Sequence, residues 1–245
     1  MPQALSIRIM ASTPWKVHPE IRGDIPSALI HGRKIGNGAR DMKPEEFVSF
    51  LGSEKASAIL RTPDGEVAIP AMEAALAAGF QVCEYTLTIP GAFDCIRNTS
   101  TRHPQVVVGA GTVLTEDQAR QAVDCGARFL VSPIMDPEMI RLAGELGVAI
   151  IPGCSTPTEM QAAHEAGAPL VKLFPGPAGG PSWVQATLGP LPHLRIVPTS
   201  GVTRENAREF LNAGAHAVGF VAPLFDPQDL QTQNWNRLEI GRAHV

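Results

Sequence analysis

The 245-residue chain predicts an α/β fold in which eight strand–helix units close into a TIM (β/α)8 barrel. Three observations predict it. First, five segments share one design: small residues at helical spacing, a glycine, then an apolar strand. They are "AALAAGF" (74–80), "AVDCGARF" (122–129), "AGELGVA" (143–149), "AHEAGAP" (163–169) and "FLNAGAHA" (210–217). Glycine just past a helix is a common left-handed cap. Gly79, Gly126, Gly147, Gly167 and Gly214 are separated by 47, 21, 20 and 47 residues, so a gap of 47 holds two of the shorter units. The repeat is a helix–strand unit of roughly 20–24 residues, as expected for α/β units with short loops. Second, eight short runs rich in Val, Ile and Leu fall between these marks, at 56–61, 81–87, 105–109, 128–132, 149–152, 170–174, 195–198 and 216–220. Such runs suit a parallel sheet covered by helices. Third, helix starts are well signalled. An open doubly wound sheet is the competing fold, but no Gly-x-Gly-x-x-Gly turn follows an early strand and eight regular units close readily.

In chain order, residues 1–42 lie outside the repeat, with scattered Arg, Lys, Gly and Pro and weak periodicity. They read as a disordered tail or part of an organelle-targeting peptide, although the stretch is only mildly basic and not strongly Ser-rich. Residues 43–245 form the barrel domain. It begins with a short helix, "MKPEEFVSFLGSE" (42–54), expected to plug the bottom of the barrel. Later helices start at capping boxes, Thr115 with Gln118 and Thr156 with Glu159. Asp136-Pro137 and Thr156-Pro157 put proline at the first helical position behind an N-cap. After Phe220, "DPQDLQTQNWNRLEIGRAHV" supplies only the start of a last helix, so the eighth helix is expected to be truncated. Residues 239–245, "EIGRAHV", match the translated opening of a common sequencing adapter and are expected to be non-native; a genuine end with a short helix is the alternative.

Composition excludes several function classes. A chain that is 44% hydrophobic, 18% charged and of net charge -4 is no nucleic-acid or membrane-surface binder. No apolar run is long enough to span a bilayer, and the N-terminus lacks a secretory apolar core. Cys83, Cys95, Cys125 and Cys154 match no zinc spacing and read as free thiols in a reducing compartment. His103, His164, His193 and His216 lack metal-ligand spacing and read as surface or loop residues. Trp183 and Phe225 read as packing or oligomer contacts. The expected location is cytoplasmic, with a plastid or other organelle as the alternative through residues 1–42.

Lys172 sits inside an apolar strand, "LVKLF" (170–174), just before the Gly/Pro-rich loop 175–181. Lysine is almost never buried without a partner or a task. Glu84 interrupts the second strand, "QVCEYTL" (81–87), and shares a face with Val82 and Thr86. If that face is inward, both charges point into the lumen and become partners, because an unpaired buried charge is costly. One reading is a structural ion pair. The other is covalent catalysis. At neutral pH roughly one free lysine in two thousand is an uncharged nucleophile. Desolvation lowers its pKa, and the amine can then attack a ketone to form a Schiff base. Glu84 would shuttle protons. Spacing alone leaves both readings open.

Four stretches, "VVGAGTVLTEDQARQAVDCGARFLVSP", "IPGCSTPTEM", "VKLFPGPAGG" and "IVPTSGVTRENAREFLNAGA", together resemble the KDPG/KHG aldolases from about residue 58 to 220. That resemblance implies a class I aldolase on a TIM barrel, usually trimeric, needing no cofactor or metal. It implies cleavage of a 2-keto-3-deoxy or 4-hydroxy-2-keto acid to pyruvate and an aldehyde, with a small-molecule 2-keto acid as the only partner besides copies of itself. Carried over by position, Lys172 is the Schiff-base lysine and Glu84 the acid/base. Thr112, Pro133 and Phe174 match residues of the keto-acid pocket, and Arg61 matches a strand-end arginine. Thr199, Ser200 and Gly201 match the loop that receives a substrate phosphate. Two positions depart from the family pattern: Thr88 stands where relatives active on the phosphogluconate substrate often carry arginine, and Val221 where a serine holds phosphate. Two other readings stand beside the aldolase: a sugar-phosphate isomerase or decarboxylase in which Lys172 anchors an anion, and a non-catalytic barrel.

Overall fold

The structure is a computed structural model that describes residues 42–176 and 178–235. All of them fall in one compact unit. Residues 1–41, expected to be a tail or targeting segment, and residues 239–245, expected to be non-native, lie outside the described residues. The elements alternate as the repeat predicts. Helix α1 (Pro44–Glu54) leads into β1 (Ala56–Leu60), α2 (Ala68–Ala77), β2 (Val82–Thr86), α3 (Ala92–Arg102) and β3 (Val107–Gly111). Then come α4 (Glu116–Asp124), β4 (Phe129–Val131), α5 (Pro137–Glu145), β5 (Ala149–Ile151), β6 (Gly153–Cys154) and α6 (Pro157–Glu165). The chain continues through β7 (Val171–Leu173), α7 (Gly180–Leu188), β8 (Ile196–Pro198), α8 (Ala207–Asn212), β9 (Val218–Phe220) and α9 (Pro227–Thr232).

The strands form a curled, all-parallel arrangement in the orders β5-β4-β3-β2-β1-β9 and β6-β7-β8. Strand positions are buried on both faces, as a sheet covered by helices requires. All five repeat glycines have positive φ, so each helix ends on the left-handed cap read from the sequence. Thr115 and Thr156 form complete capping boxes with Gln118 and Glu159, and Asp136 caps α5 ahead of Pro137.

Strand β3 runs two residues further than expected, through Gly109 and Gly111. "GAG" looks like a turn, yet both glycines are strand residues whose missing Cβ makes room for a neighbour. A Cβ on Gly109 would overlap the Phe129 ring, and one on Gly111 would overlap Glu84 Oε1. Strand five is also longer than expected. It resumes after Pro152 as β6, and the Pro152 carbonyl accepts a 2.8 Å bond from Lys172 N.

Two apolar cores result. The larger lies between the strands and the surrounding helices, and holds Phe225 and, at its edge, Trp183. The smaller lies inside the curl, where Val82, Val107, Phe129, Val131, Ile151 and Val197 meet Phe47 and Leu51 of α1. Phe47 stacks on Phe129 with ring centroids 4.6 Å apart. The leading helix therefore fills the interior from below, as a plug would. His216 fastens it: its Nε2–H donates to Val48 O at 2.9 Å. A Cβ on Gly52 would sit 2.8 Å from the His216 ring, so only glycine lets α1 approach this closely. His216 is thus a half-buried structural tie in the loop between α8 and β9, a loop residue as read from the sequence but not a free surface one. Burial holds its pKa below the ordinary value against the opposing pull of that hydrogen bond.

Candidate active site

Glu84 is the central residue of β2 and Lys172 the central residue of β7. Both face the interior and are almost wholly buried, at 2% and 6% exposure. They line one small cavity with Ser57, Ile59, Val131 and Thr199. Of the two readings left open by the sequence, the structural ion pair is not seen as a direct contact: among the described residues no salt bridge within 4.0 Å joins Glu84 to Lys172. The two nonetheless sense each other's charge. Burial pushes the Glu84 carboxyl above the usual carboxylate range, against the lowering pull of Lys172 and then Arg61. Burial also depresses the Lys172 ammonium, against the support of Glu84, while Arg61 adds to the depression. Each group is driven toward its neutral form, because the charge on either is poorly solvated there. Lys172 Nζ sits 4.8 Å from the centre of the Phe174 ring, which forms an aromatic wall beside the amine.

The other expected residues gather at the C-terminal ends of the strands. Arg61 follows β1, Thr112 follows β3, Pro133 lies just past β4, and Phe174 follows β7. Thr199, Ser200 and Gly201 follow β8. Arg61 Nη2 donates to Thr112 Oγ1 at 3.3 Å across the mouth. Thr112 has φ of 61°, a left-handed conformation that a β-branched residue rarely adopts. Such strain is characteristic of functional sites. Thr88 stands apart: it is exposed and its hydroxyl shares a 2.9 Å hydrogen bond with the Thr86 hydroxyl.

A second cavity, of about 250 Å³, opens between the loops after β7 and β8. Gly176, Gly180, Ser200, Gly201 and Asn206 line it, and none of its described lining residues is charged. Asn206 braces the rim: its Nδ2 donates to Gly201 O at 2.8 Å, and its Oδ1 accepts from Thr203 N at 2.7 Å. Gly180 begins the nine-residue helix α7, whose N-terminus gives this cavity a positive edge. Among the described residues no group of three His, Cys, Asp or Glu side chains could hold a metal, and no helix is long and apolar enough to cross a membrane. The four cysteines are free and buried.

Sequence reasoning missed Ser57, Gly111 and Asn206. Ser57 is an ordinary small residue in an apolar run. The signal for Gly111 was present, a second glycine two residues along in "VVGAGT", but it also fits a turn.

Comparison with known proteins accords with this geometry. A family model described as KDPG and KHG aldolase matches residues 49–240. A 2-dehydro-3-deoxy-phosphogluconate aldolase of Haemophilus influenzae is 32% identical over 200 residues, 81% of this chain and 93% of that protein. A KHG/KDPG aldolase of Escherichia coli is 37% identical over 147 residues, 60% of this chain and 69% of that one. A KDPG aldolase structure from Legionella pneumophila, with pyruvate captured as a covalent carbinolamine intermediate, superposes with a TM-score of 0.71 at 26% identity. It covers 84% of this chain and 96% of its own.

Proposed function

Because this chain belongs to the KDPG and KHG aldolase family, we propose that it is a class I aldolase that splits a 2-keto-3-deoxy or 4-hydroxy-2-keto acid into pyruvate and an aldehyde, with Lys172 as nucleophile and Glu84 as proton shuttle. The observation that carries this reading is one buried amine and one buried carboxyl on a common cavity, unpaired and each biased toward neutrality. A neutral amine is what attack on a ketone requires, and a neutral carboxylic acid is what departure of hydroxide requires.

The steps balance on these two groups. The Lys172 amine adds to C2 of the keto acid, and its proton passes to the C2 oxygen to give the carbinolamine. The Glu84 acid protonates that hydroxyl, which leaves as water, so the iminium and a Glu84 carboxylate form together. The carboxylate then takes the proton of the C4 hydroxyl. The C3–C4 bond breaks, its electron pair moves into the iminium as an enamine, and the aldehyde departs. Glu84 returns its proton to C3, and water releases pyruvate and the free amine. Arg61 and Thr112 at the mouth suit the keto-acid carboxylate, with Pro133 and Phe174 as walls. Ser200 and Gly201, with the N-terminus of α7, suit the far end of the substrate, whereas the Thr199 side chain faces the interior cavity beside Glu84 instead. Val221 gives that end no hydroxyl, so a phosphorylated and an unphosphorylated tail should differ by less than about 100-fold in kcat/KM.

The unit that performs this chemistry is residues 43–245 as a closed (β/α)8 barrel with residues 1–42 outside it, in a cytoplasmic homotrimer. Bonds across the seams support closure: His216 N to Ile196 O at 2.9 Å, and Lys172 N to Pro152 O at 2.8 Å. The test is pyruvate release from 2-keto-3-deoxy-6-phosphogluconate, its unphosphorylated analogue and 4-hydroxy-2-oxoglutarate. Turnover of at least one, lost in Lys172→Met, supports the reading. Tight binding of sugar phosphates without pyruvate release would favour an isomerase or decarboxylase, and overturn it.

A further inference from the structure

The interior cavity beside the catalytic pair has a composition that the aldolase chemistry does not account for. Glu84 Oε1 and Thr199 Oγ1 are fully buried and hydrogen bond to nothing in the protein. Ser57, 6% exposed on β1, lines the same cavity, and among the described residues neither its hydroxyl nor Lys172 Nζ makes a hydrogen bond. Four polar groups thus face one space walled by Ile59, Val82, Phe129, Val131 and Ile151. Orphaned buried polar atoms are rare, because each forfeits its hydrogen bonds to water without replacement. Two such atoms, with the Ser57 hydroxyl and the Lys172 amine beside them on the same cavity, call for a shared partner. The cavity measures about 10 Å³. That is the lower end of the roughly 10–15 Å³ that one water needs, and a buried water takes two to four polar partners.

We propose that this cavity is a binding site for a single structural water, which donates a hydrogen bond to Glu84 Oε1 and is held by the hydroxyls of Thr199 and Ser57. The backbone makes the room for it. Gly219 pairs with Ser57 in the β1–β9 register, and a Cβ there would come within 2.6 Å of Ile59 Cδ1 and 2.8 Å of Thr199 Cγ2. With glycine at that place, Thr199 keeps its position on the cavity wall. Phe47 and Leu51 of α1 wall the same space from below. The water is therefore a built-in part of the site, and Ser57 is a positioning residue that acts on Glu84 through it.

The consequence falls on the protonation of Glu84. Lys172 from β7 and Arg61 from the end of β1 are the charged groups that pull its pKa down, and burial pushes it up. A water donating to Oε1 also favours the carboxylate. Removing it shifts the Glu84 titration upward.

The water itself is tested without reference to aldolase activity, so its failure is distinct from failure of the catalytic reading. A crystal structure near 1.5 Å should show one ordered solvent peak within hydrogen-bond distance of Glu84 Oε1 and Thr199 Oγ1. Ser57→Val, which fills the space, should lose that peak. Carboxyl-carbon NMR of Glu84, assigned with Glu84→Gln, should titrate at higher pH in Ser57→Val and in Ser57→Ala, which removes only the hydroxyl. Absence of the peak in the parent protein overturns the proposal. So does a peak that survives Ser57→Val unchanged, or a Glu84 titration that neither variant moves.

Discussion

The α1 end of the interior and its loop end are separated by only a few residues along each strand, and they are built from opposite chemistry. At the α1 end, Phe47 stacks on Phe129 and Leu51 joins Val82 and Val107 in an apolar layer. At the other end, Glu84 and Lys172 are as deeply buried but have neither an ion pair nor a hydrogen bond to satisfy them. Burial stabilises the first layer and costs stability in the second. Folding energy is thus gathered below, and a destabilised, reactive pair is held above it. A stability–activity trade-off of this kind gives substitutions in the two layers opposite signs.

The sharpest break of that contrast is Lys172→Met. It should abolish turnover while raising stability by about 1–2 kcal/mol at neutral pH, measured by denaturant unfolding. The pH dependence of the parent follows from the same burial. Lys172 has a native pKa below its unfolded value near 10.4. Between those two values the unfolded chain holds the extra proton, so this group makes stability rise with pH. Glu84 has a native pKa above its unfolded value near 4.3. Between those values the native state holds the extra proton, so this group makes stability fall as pH rises. Lys172→Met should remove the first slope.

Glu84→Gln comes next. It should cut turnover by about 10²–10⁴-fold and flatten the alkaline limb of kcat against pH, because that limb reports loss of the Glu84 proton. Phe47→Ala should do the reverse of Lys172→Met: it should cost about 3–5 kcal/mol of stability and leave a protein that still bonds pyruvate. Gly111→Ala links the layers to the mouth. Its methyl would displace the Glu84 carboxyl, and a shift of about 1 Å can cost about 10²-fold in kcat. The smallest effect belongs outside the interior. Arg120 pairs with Glu116 at 2.6 Å on the exposed face of α4, and Arg120→Ala should change stability by under about 0.5 kcal/mol and activity not at all.

The apolar layer and the strand–helix order were legible because they depend on patterns that repeat along the chain. Gly79 or Gly126 needs only its own φ to end a helix, and "FLV" at 129–131 needs only its hydrophobicity to be a strand. Lys172 and Glu84 were legible because a charge inside such a run is conspicuous. What stayed hidden depends on residues distant in sequence. That Gly111 continues a strand rather than starting a turn follows from Glu84 on the adjacent strand. Ser57 becomes a polar neighbour of Glu84 through the pairing of β1 with β2, and Thr199, just past β8, reaches the same cavity from the other sheet. That the loop histidine His216 ties down α1 is seen only once Val48, far away in sequence, presents its carbonyl.

The central claim is that the nitrogen of Lys172 forms a covalent bond with the carbonyl carbon of a keto acid. Incubation with pyruvate, reduction with borohydride and mass analysis of the digested protein tests it. The account predicts a single reduced pyruvyl adduct on the peptide carrying Lys172, present in Phe47→Ala and absent in Lys172→Met. An unmodified protein, or an adduct that persists in Lys172→Met, would contradict it.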